Sequence, residues 1–301
     1  MDNEQKEAIL ARIAEQSIAT VWLQYVDIGG QVKGISLPAQ RFAVICELGQ
    51  TADGSSLDSV VRLRESDTVL RPDLGTFAVL PWADGVGRAA RVICDVTMFN
   101  GRPFAGDPRQ TLRRAVQFAA EMGYAYHIAQ EIEFFVCERD GEGHLHPLPE
   151  DSESYFDLSL SRGAQLRLLI AKTLNEMGIA VTSSHHEVAP GQHEIDLEPA
   201  PALAAADQLM TLKYVARYLA HQQGLSITFM PKPFNEMSGS GLHIHQYLAG
   251  MSSPANLFGE PGHRTVSELA QHFIAGQLQH AASSLALLCP LVNSYKRLVS
   301  G

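Results

Sequence analysis

Residues 124–136 contain the stretch Gln130-Glu131-Ile132-Glu133-Phe134-Phe135, in which apolar side chains surround two glutamates. The aromatic and β-branched content predicts a strand, whose successive side chains point to opposite faces. Glu131 and Glu133 therefore share one face, where their negative charges repel each other. A solvated strand face is one explanation for such a pair, and a divalent cation bound by carboxylate oxygens is the other. The apolar neighbours favour burial on at least one side.

A second polar segment, residues 184–194, carries three histidines and two glutamates and is expected to form a loop: His185, His186, Glu187, His193 and Glu194. The zinc-protease pattern H-E-x-x-H is absent, because Pro190 stands where the second histidine would be. Function concentrates on polar loops of this kind. A merely solvated loop remains the alternative.

A third segment, residues 229–245, ends in His243 and His245, which point the same way if the segment is a strand. The pair is explained either by structural hydrogen bonds or by ligand binding. The preceding glycine-serine loop would let the backbone approach a ligand, but it matches neither a Walker A loop, nor G-x-G-x-x-G, nor G-x-S-x-G. Any ATP site in this chain must use another architecture.

The composition excludes several classes of protein. The chain has 301 residues, of which 46% are hydrophobic, and a formal net charge of −10 without a lysine- or arginine-rich block. A nucleic-acid partner is therefore not expected. The apolar runs are far shorter than the roughly 20 residues of a membrane-spanning helix, and the N-terminus is not a secretory leader. Four cysteines without a C-x-x-C pair indicate no zinc or redox motif. We expect no membrane partner and a cytoplasmic location.

The predicted elements fall into two groups on either side of a boundary at Asn100-Gly101-Arg102-Pro103. Residues 1–102 hold a leading helix at 4–16 and strands at 21–26, 31–37 and 90–96. Residues 103–301 mix helices with strand-like segments in an irregular order, which favours an α+β domain. Helices are predicted at 107–122, 165–177, 202–221 and 265–288, and strands at 124–136, 179–182, 226–230 and 242–247.

Taken together and in this order, these stretches resemble the glutamine synthetase family in its bacterial type I form. The segments at 185–194 and 293–298 are highly specific, and the resemblance spans nearly the whole chain. The matching stretches are Asp53-Gly54-Ser55-Ser56, Glu65-Ser66-Asp67 with Arg71-Pro72-Asp73, Glu131-Ile132-Glu133-Phe134-Phe135, Tyr155-Phe156-Asp157, residues 185–194, residues 229–245 and Asn293-Ser294-Tyr295-Lys296-Arg297-Leu298.

The resemblance implies a small β-grasp-like domain at 1–102 and a catalytic domain at 103–301, with an antiparallel sheet and flanking helices. It implies a ring-shaped homo-oligomer whose active sites form between neighbouring subunits. It also implies ATP and two Mg²⁺ or Mn²⁺ ions as cofactors. Glu133, Glu187 and Glu194 would bind the first ion, and Glu131 and His243 the second.

The implied reaction makes glutamine from glutamate and ammonium, as in nitrogen metabolism. ATP phosphorylates the glutamate side chain, and ammonia attacks the resulting γ-glutamyl phosphate. By resemblance, Asp53, Ser56, Tyr155 and Glu187 form the ammonium pocket, with Asp53 supplied by the neighbouring subunit. His245, Lys232 and Ser240 are expected at ATP, and Ser238, Gly239 and Arg297 at glutamate.

Two positions depart from the family pattern. Ser238 stands where asparagine is usual, and Tyr247 where serine is common near the adenine. Such changes occur in relatives that join glutamate to larger amines, so a γ-glutamylamine ligase is the alternative activity. The preserved Asp53 and Tyr155 favour ammonia.

The chain ends directly after the 293–298 motif, where the family continues with further arginines and another metal ligand. We therefore expect a C-terminally truncated chain with little or no ligase activity. A non-catalytic homologue that binds ligands or co-assembles with a full-length partner is a further alternative. A metal-dependent hydrolase would explain the acidic clusters but not the matches at 231–233 and 293–298.

Overall fold

The computed structural model describes residues 3–54, 67–84, 87–259 and 265–298. The chain divides into two compact units, Met1–Gln117 and Phe118–Gly301. This division falls inside a helix, Pro108–Glu121, which is the predicted helix that follows the proposed boundary. The domain boundary after residue 102 stays a prediction.

The first unit is built on a five-stranded sheet. Its elements are helices α1 (Asn3–Glu15) and α2 (Phe42–Leu48), a short 3-10 helix (Ala39–Arg41), and strands β1 (Ile18–Val26), β2 (Val32–Pro38), β3 (Gln50–Ala52), β4 (Thr68–Asp84) and β5 (Gly87–Met98). The strand order is β2-β1-β5-β4-β3, in which only the β1–β5 pair is parallel. The predicted leading helix and three strands are confirmed, whereas α2, β3 and β4 were not predicted.

The helices of the first unit pack on its sheet through apolar side chains. Ile9 and Ile13 of α1 and Phe42 of α2 are buried against Leu23 of β1 and Leu70 of β4. Burying side chains of this size is the main source of stability for a small sheet domain.

The helix Pro108–Glu121, α3, is anchored to β4 and β5 by ion pairs. Arg109 is 8% exposed, its Nη2 atom lies 2.7 Å from Oδ2 of Asp73, and its Nη1 atom contacts Asp95. Arg113 adds a second contact to Asp95, at 2.8 Å. The Arg71-Pro72-Asp73 stretch therefore has a structural role, since Asp73 pairs with the buried guanidinium.

The second unit contains an antiparallel sheet centred on one long strand. Its elements are strands β6 (Tyr124–Arg139), β7 (Leu145–Pro147), β8 (Val181–His186), β9 (Gln192–Pro201), β10 (Ser226–Thr228), β11 (Leu242–Gly250) and β12 (Ser253–Asn256), and helices α4 (Arg162–Glu176), α5 (Ala202–Gln222), α6 (Glu268–Leu288) and α7 (Val292–Arg297). The main path runs β12-β11-β6-β9-β8, and β7 and β10 pair with the far end of β6. The α+β fold predicted from the sequence is confirmed.

The expected loop at 184–194 is wrong: most of this segment belongs to a β-hairpin. His186 at the end of β8 lies opposite His193 near the start of β9, and a short turn joins them. Gly191 ends the turn with φ +70°, and a Cβ atom there would lie 2.9 Å from the main-chain oxygen of Val136. The high content of charged and histidine side chains concealed the strands, because polar residues do not show the usual apolar alternation.

Helices α4 and α5 contribute a buried apolar side to the second unit. Leu166, Ile170 and Leu174 of α4 and Leu212 of α5 are all fully buried. Phe134 of β6 is fully buried as well, with its ring 5.7 Å from that of Phe229. The alternation of β6 places Glu131 and Glu133 on the side opposite to Phe134.

Helix α6 presents a different surface. Of its described residues only Ala270 is buried, while Leu278 and Leu287 are 71% and 83% exposed. In the part of the chain that the structure describes, no helix combines the length and apolar character needed to cross a bilayer.

Burial predicts different costs for the same substitution on two helices. Leu212→Ala removes a fully buried side chain of α5 and should lower the free energy of unfolding by about 2–5 kcal/mol. The matched control Leu278→Ala, on the exposed face of α6, should change it by about 0.5 kcal/mol or less. Urea denaturation followed by circular dichroism measures both, and equal losses would contradict the packing described here.

Candidate active site

Paired strands of the second sheet bring the acidic residues of two distant segments onto one side. Glu133 of β6 lies opposite Glu194 of β9, and Glu131 lies opposite Asp196. Residues directly opposite each other on paired strands, and residues two apart on one strand, point to the same side of a sheet. We call the surface formed by these four side chains the carboxylate face.

Histidines flank the carboxylate face on both edges. His243 of β11 lies opposite Glu131, and His185 of β8 lies opposite Glu194. The imidazole of His185 also reaches Glu187 in the hairpin turn, with Nδ1 at 3.6 Å from Oε1, while its Nε2 lies 3.5 Å from Oε1 of Glu194. The structure therefore brings together all five residues predicted to bind metal.

One end of this face is buried and crowded with negative charge. Glu133 and Glu187 are 9% exposed and Glu194 is 7% exposed. Burial, a hydrogen bond with Asp196 and the neighbouring carboxylates together raise the pKa of Glu194 to about 9. Carboxylate oxygens that converge in this way are the ligands that Mg²⁺ and Mn²⁺ prefer, and a cation would offset the repulsion. The residues present therefore fit a divalent ion.

The other end of the face is more open and already carries partners. Nδ1 of His243 lies 2.9 Å from Oε2 of Glu131, and Nε2 of His245 lies 2.7 Å from its Oε1. Burial acts to raise the pKa of Glu131, but the hydrogen bonds with the two histidines outweigh it and the pKa is lowered. Glu131 is thus held ionised, in direct contact with the histidine predicted to share its metal.

Gly241 leaves a space into which polar atoms from three segments point. A Cβ atom at this position would lie 2.8 Å from Oε1 of Glu133, 3.0 Å from Nε2 of His243 and 3.2 Å from Nη2 of Arg297. Any larger residue would displace them. The guanidinium predicted to bind a substrate carboxylate therefore lies beside predicted ligands of both metals.

The loop before β11 is fixed to helix α7 by side-chain and main-chain hydrogen bonds. The side chain of Asn293 accepts from the main-chain N–H of Lys232 and donates to its carbonyl, both at 2.9 Å. A Cβ atom at Gly239 would lie 2.9 Å from Cγ and Cδ of Arg297. Two of the stretches matched at the sequence level therefore form one structural unit.

The other residues predicted at ATP and glutamate lie in or next to this loop. The Nζ atom of Lys232 donates to the carbonyl of Met237. Ser240 is buried and its N–H donates to the carbonyl of Pro231 at 2.9 Å, while its hydroxyl has no partner among the described residues. Ser238 is exposed. Their roles toward substrates stay predictions.

Tyr155 reaches the same site from the loop before α4. Its ring stacks on Phe156 with a centroid distance of 4.0 Å and meets His185 edge-on at 5.3 Å. Partial desolvation and the negative charges of Glu187 and Glu194 raise its phenolic pKa. Tyr155 and Glu187 thus both contact His185, and their shared part in an ammonium pocket stays a prediction.

The remaining members of the predicted ammonium pocket, Asp53 and Ser56, precede the second unit in the chain. Ser56 lies outside the described residues. Asp53 is exposed in the first unit. The proposed part of each in ammonium binding stays a prediction.

Two residues of the site, Gln192 and Asp196, were not predicted from the sequence. Gln192 is fully buried, and its amide donates to Oε2 of Glu133 at 3.0 Å and to the carbonyl of Gly239 at 3.2 Å. Asp196 completes the carboxylate face. Strand alternation from Glu194 would have found Asp196 once β9 was recognised, whereas the partners of Gln192 lie 59 and 47 residues away.

The fold and the site define a protein with a β-sheet domain followed by a sheet that presents a carboxylate-rich face suited to divalent cations. Residues 17–99 match the family model described as glutamine synthetase, beta-Grasp domain. Residues 105–301 match the model described as glutamine synthetase, catalytic domain. The chain therefore belongs to the glutamine synthetase family, and it has the family's two-domain fold.

Curated relatives and solved structures agree with this assignment. Glutamine synthetase of Halobacterium salinarum is 43% identical over 303 residues, covering 100% of this chain and 66% of the relative. Glutamine synthetase of Thermotoga maritima is 42% identical over 299 residues, covering 98% of this chain and 67% of the relative. The chain thus spans about two thirds of the length of the curated relatives it matches.

Among solved structures, ligand-free GmaS superposes with a TM-score of 0.87 and 29% identity, covering 96% of this chain and 68% of that chain. Glutamine synthetase of Plasmodium falciparum superposes with a TM-score of 0.88 at 24% identity, covering 100% of this chain and 64% of that chain, and supports the fold.

The raised pKa of Glu194 predicts a pH dependence of the cation-free protein. The folded state holds a proton on Glu194 that the unfolded state loses, because the folded-state pKa of about 9 exceeds the usual value. The free energy of unfolding should therefore fall as the pH rises from about 5 to about 9. Glu194→Gln should remove this part of the fall.

Urea denaturation in EDTA across that pH range measures the effect. Glu198→Gln, at an exposed position of the same strand, is the matched control and should keep the wild-type slope. Equal slopes for the wild type and Glu194→Gln would show that Glu194 does not hold the proton.

Proposed function

We propose that this chain is part of an ATP-dependent glutamate–ammonia ligase that forms glutamine through γ-glutamyl phosphate. The observation that carries the proposal is the convergence of Glu131, Glu133, Glu194 and His243 on one sheet side, with Glu187 beside them. Five matched residues of one family site, drawn from three segments, support a shared chemistry more strongly than any one motif.

The proposed metal sites follow the two ends of the carboxylate face. Glu133, Glu187 and Glu194 would hold one Mg²⁺ or Mn²⁺, and Glu131 and His243 would hold the second. When bound, the ions supply positive charge that neutralises phosphoryl oxygens. The hydrogen bonds from Gln192 and His245 would keep Glu133 and Glu131 oriented toward their ions.

The protein's own groups divide the remaining tasks. Arg297 would hold the glutamate carboxylate, since a guanidinium binds a carboxylate through two parallel hydrogen bonds. Gly239 lies against the side chain of Arg297, so the backbone at this position would touch the same substrate. Lys232, Ser240 and His245 would contact the nucleotide phosphates. A related structure of GmaS in complex with ADP supports a nucleotide site in this fold.

The acceptor of the γ-glutamyl group is proposed to be ammonia. Tyr155 lies within reach of the charges of Glu187 and Glu194, which would favour a small cation such as ammonium. Asp53, from a neighbouring subunit, would take the proton, with Ser56 beside it.

A γ-glutamylamine ligase is the second candidate, favoured by Ser238 and Tyr247. The ring of Tyr247 stacks on His127 with a centroid distance of 5.0 Å, so this position is filled by an aromatic pair. A larger amine would require more room around Tyr155 than ammonium does.

Removal of one carboxylate should weaken metal binding by the chain itself. Glu133→Gln and Glu187→Gln should each weaken Mn²⁺ binding by at least about tenfold, because each removes a negatively charged ligand. Glu198→Gln, exposed on β9, serves as the control. Titration followed by electron paramagnetic resonance of free Mn²⁺ gives the affinities, and unchanged affinity in both variants would place the metal elsewhere.

Product analysis tests the reaction. The protein isolated from its natural source is incubated with ATP, Mg²⁺, glutamate and either ammonium or a series of alkylamines and polyamines. Glutamine formation with ammonium, together with ADP release, is the expected outcome. A preference for a larger amine would favour the second candidate. ATP-independent product formation would contradict the γ-glutamyl phosphate route, and the absence of any product would leave a non-catalytic homologue that binds or co-assembles.

Two further proposals rest on family membership. We propose a homo-oligomeric ring, in which a neighbouring subunit supplies Asp53, and a cytoplasmic location. The mass of the native assembly, measured by light scattering, tests the first of these, since a monomer would leave the proposed ammonium pocket without its base.

A further inference from the structure

A buried polar network lies behind the carboxylate face, on the other side of the β8–β9 hairpin. Its centre is Asp151, which is fully buried together with His186 and His193. The two histidines lie directly opposite each other and alternate with His185 and Glu194 along their strands. They therefore point away from the proposed metal site, toward the side that carries helix α4.

Asp151 joins both strands, the hairpin turn and helix α4. Its Oδ2 lies 2.8 Å from Nε2 of His193, and its Oδ1 lies 3.3 Å from Nε2 of His186. Its main-chain oxygen accepts the N–H of Gly191 in the turn at 2.8 Å. The hydroxyl of Ser161, which caps the N-terminus of α4, donates to Oδ1 at 2.5 Å.

The direction of these hydrogen bonds follows from groups that can play only one role. Arg167 can only donate, and its Nη1 lies 3.2 Å from Nδ1 of His193, so Nε2 of this histidine carries the proton given to Asp151. Nδ1 of His186 lies 2.6 Å from the carbonyl of Glu187 and must donate to it, so the 3.3 Å approach of its Nε2 to Asp151 is a packing contact and not a hydrogen bond. Asp151 thus acts as an acceptor, a role in which a neutral amide would be a poor replacement.

The network leaves no spare room. A Cβ atom at Gly163 in α4 would lie 2.0 Å from Oδ2 of Asp151 and 2.6 Å from Nε2 of His193. Asp, His and His are also types that bind metal, but Oδ2 and Nε2 are already within hydrogen-bond distance of each other. Hydrogen bonding and close packing, and not a bound metal, therefore account for the arrangement of these side chains.

We propose that Asp151 is a positioning residue for the carboxylates Glu187 and Glu194. His186 directly precedes Glu187 and His193 directly precedes Glu194, so fixing the two imidazoles fixes the backbone from which both carboxylates project. The same network reaches Tyr155, since the N–H of Phe156 donates to the carbonyl of His186 at 3.2 Å. This inference rests on the proposed function, because it takes Glu187 and Glu194 to be metal ligands.

The test compares Asp151→Asn with Asp140→Asn, a carboxylate in the exposed turn between β6 and β7. Mn²⁺ affinity is measured by electron paramagnetic resonance, and folding by circular dichroism. Asp151→Asn should fold and bind Mn²⁺ at least about tenfold more weakly than wild type, as outer-shell substitutions do. Asp140→Asn should bind as the wild type does.

A second pair of variants covers the case in which Asp151→Asn does not fold. Ser161 and Ser267 cap α4 and α6, each accepting the N–H of an alanine three residues on. Only Ser161 also donates to Asp151. Ser161→Ala should weaken Mn²⁺ binding, whereas Ser267→Ala should leave it unchanged.

The outcomes separate this inference from the proposed function. A folded Asp151→Asn protein with wild-type Mn²⁺ affinity, or equal effects of Ser161→Ala and Ser267→Ala, overturns the positioning role while leaving the metal site intact. A wild-type chain that does not bind Mn²⁺ overturns the metal site itself, and the positioning role with it.

Discussion

Repulsion between carboxylates is the constraint on which the second unit depends. Glu131, Glu133, Glu194 and Asp196 point to one side of a sheet, and burial of Glu194 makes its charge costly. A protein accepts such a cost when a cation or a proton offsets it. In the cation-free chain, the raised pKa of Glu194 favours its protonated form. At the open end, hydrogen bonds with His243 and His245 offset the charge of Glu131.

The sheet separates the mutually repelling carboxylates from the apolar core that stabilises the unit. On one side of the β8–β9 hairpin lie the carboxylates, and on the other lie Phe134, Ile195 and the apolar residues of α4. Strand alternation allows a single strand to serve both sides, since neighbouring residues take opposite roles. The core supplies the free energy that permits an arrangement unfavourable by itself.

Much of this arrangement was predictable from the sequence, and the exceptions have physical causes. The pairing of Glu131 with Glu133 followed from alternation in an apolar strand, and His243 with His245 from the same rule. The hairpin at 181–201 was missed because its polar side chains hide the strand pattern. Asp151 and Gln192 were missed because their partners lie 42 and 59 residues away, beyond any local pattern. Ion pairs such as Asp73–Arg109 cannot be predicted from local sequence patterns either, since they depend on how helices pack on sheets.

The central position of β6 has a consequence for how this chain can change. Its first half pairs with β9 and β11, and its far end pairs with β7 and β10, so its register is fixed from both sides. Inserting or deleting one residue between Glu131 and Glu133 would place the two glutamates on opposite faces of the sheet. One of the two proposed ion sites would lose a ligand in one event, and no single compensating substitution would restore it. Length variation among descendants of this gene should therefore be confined to the loops.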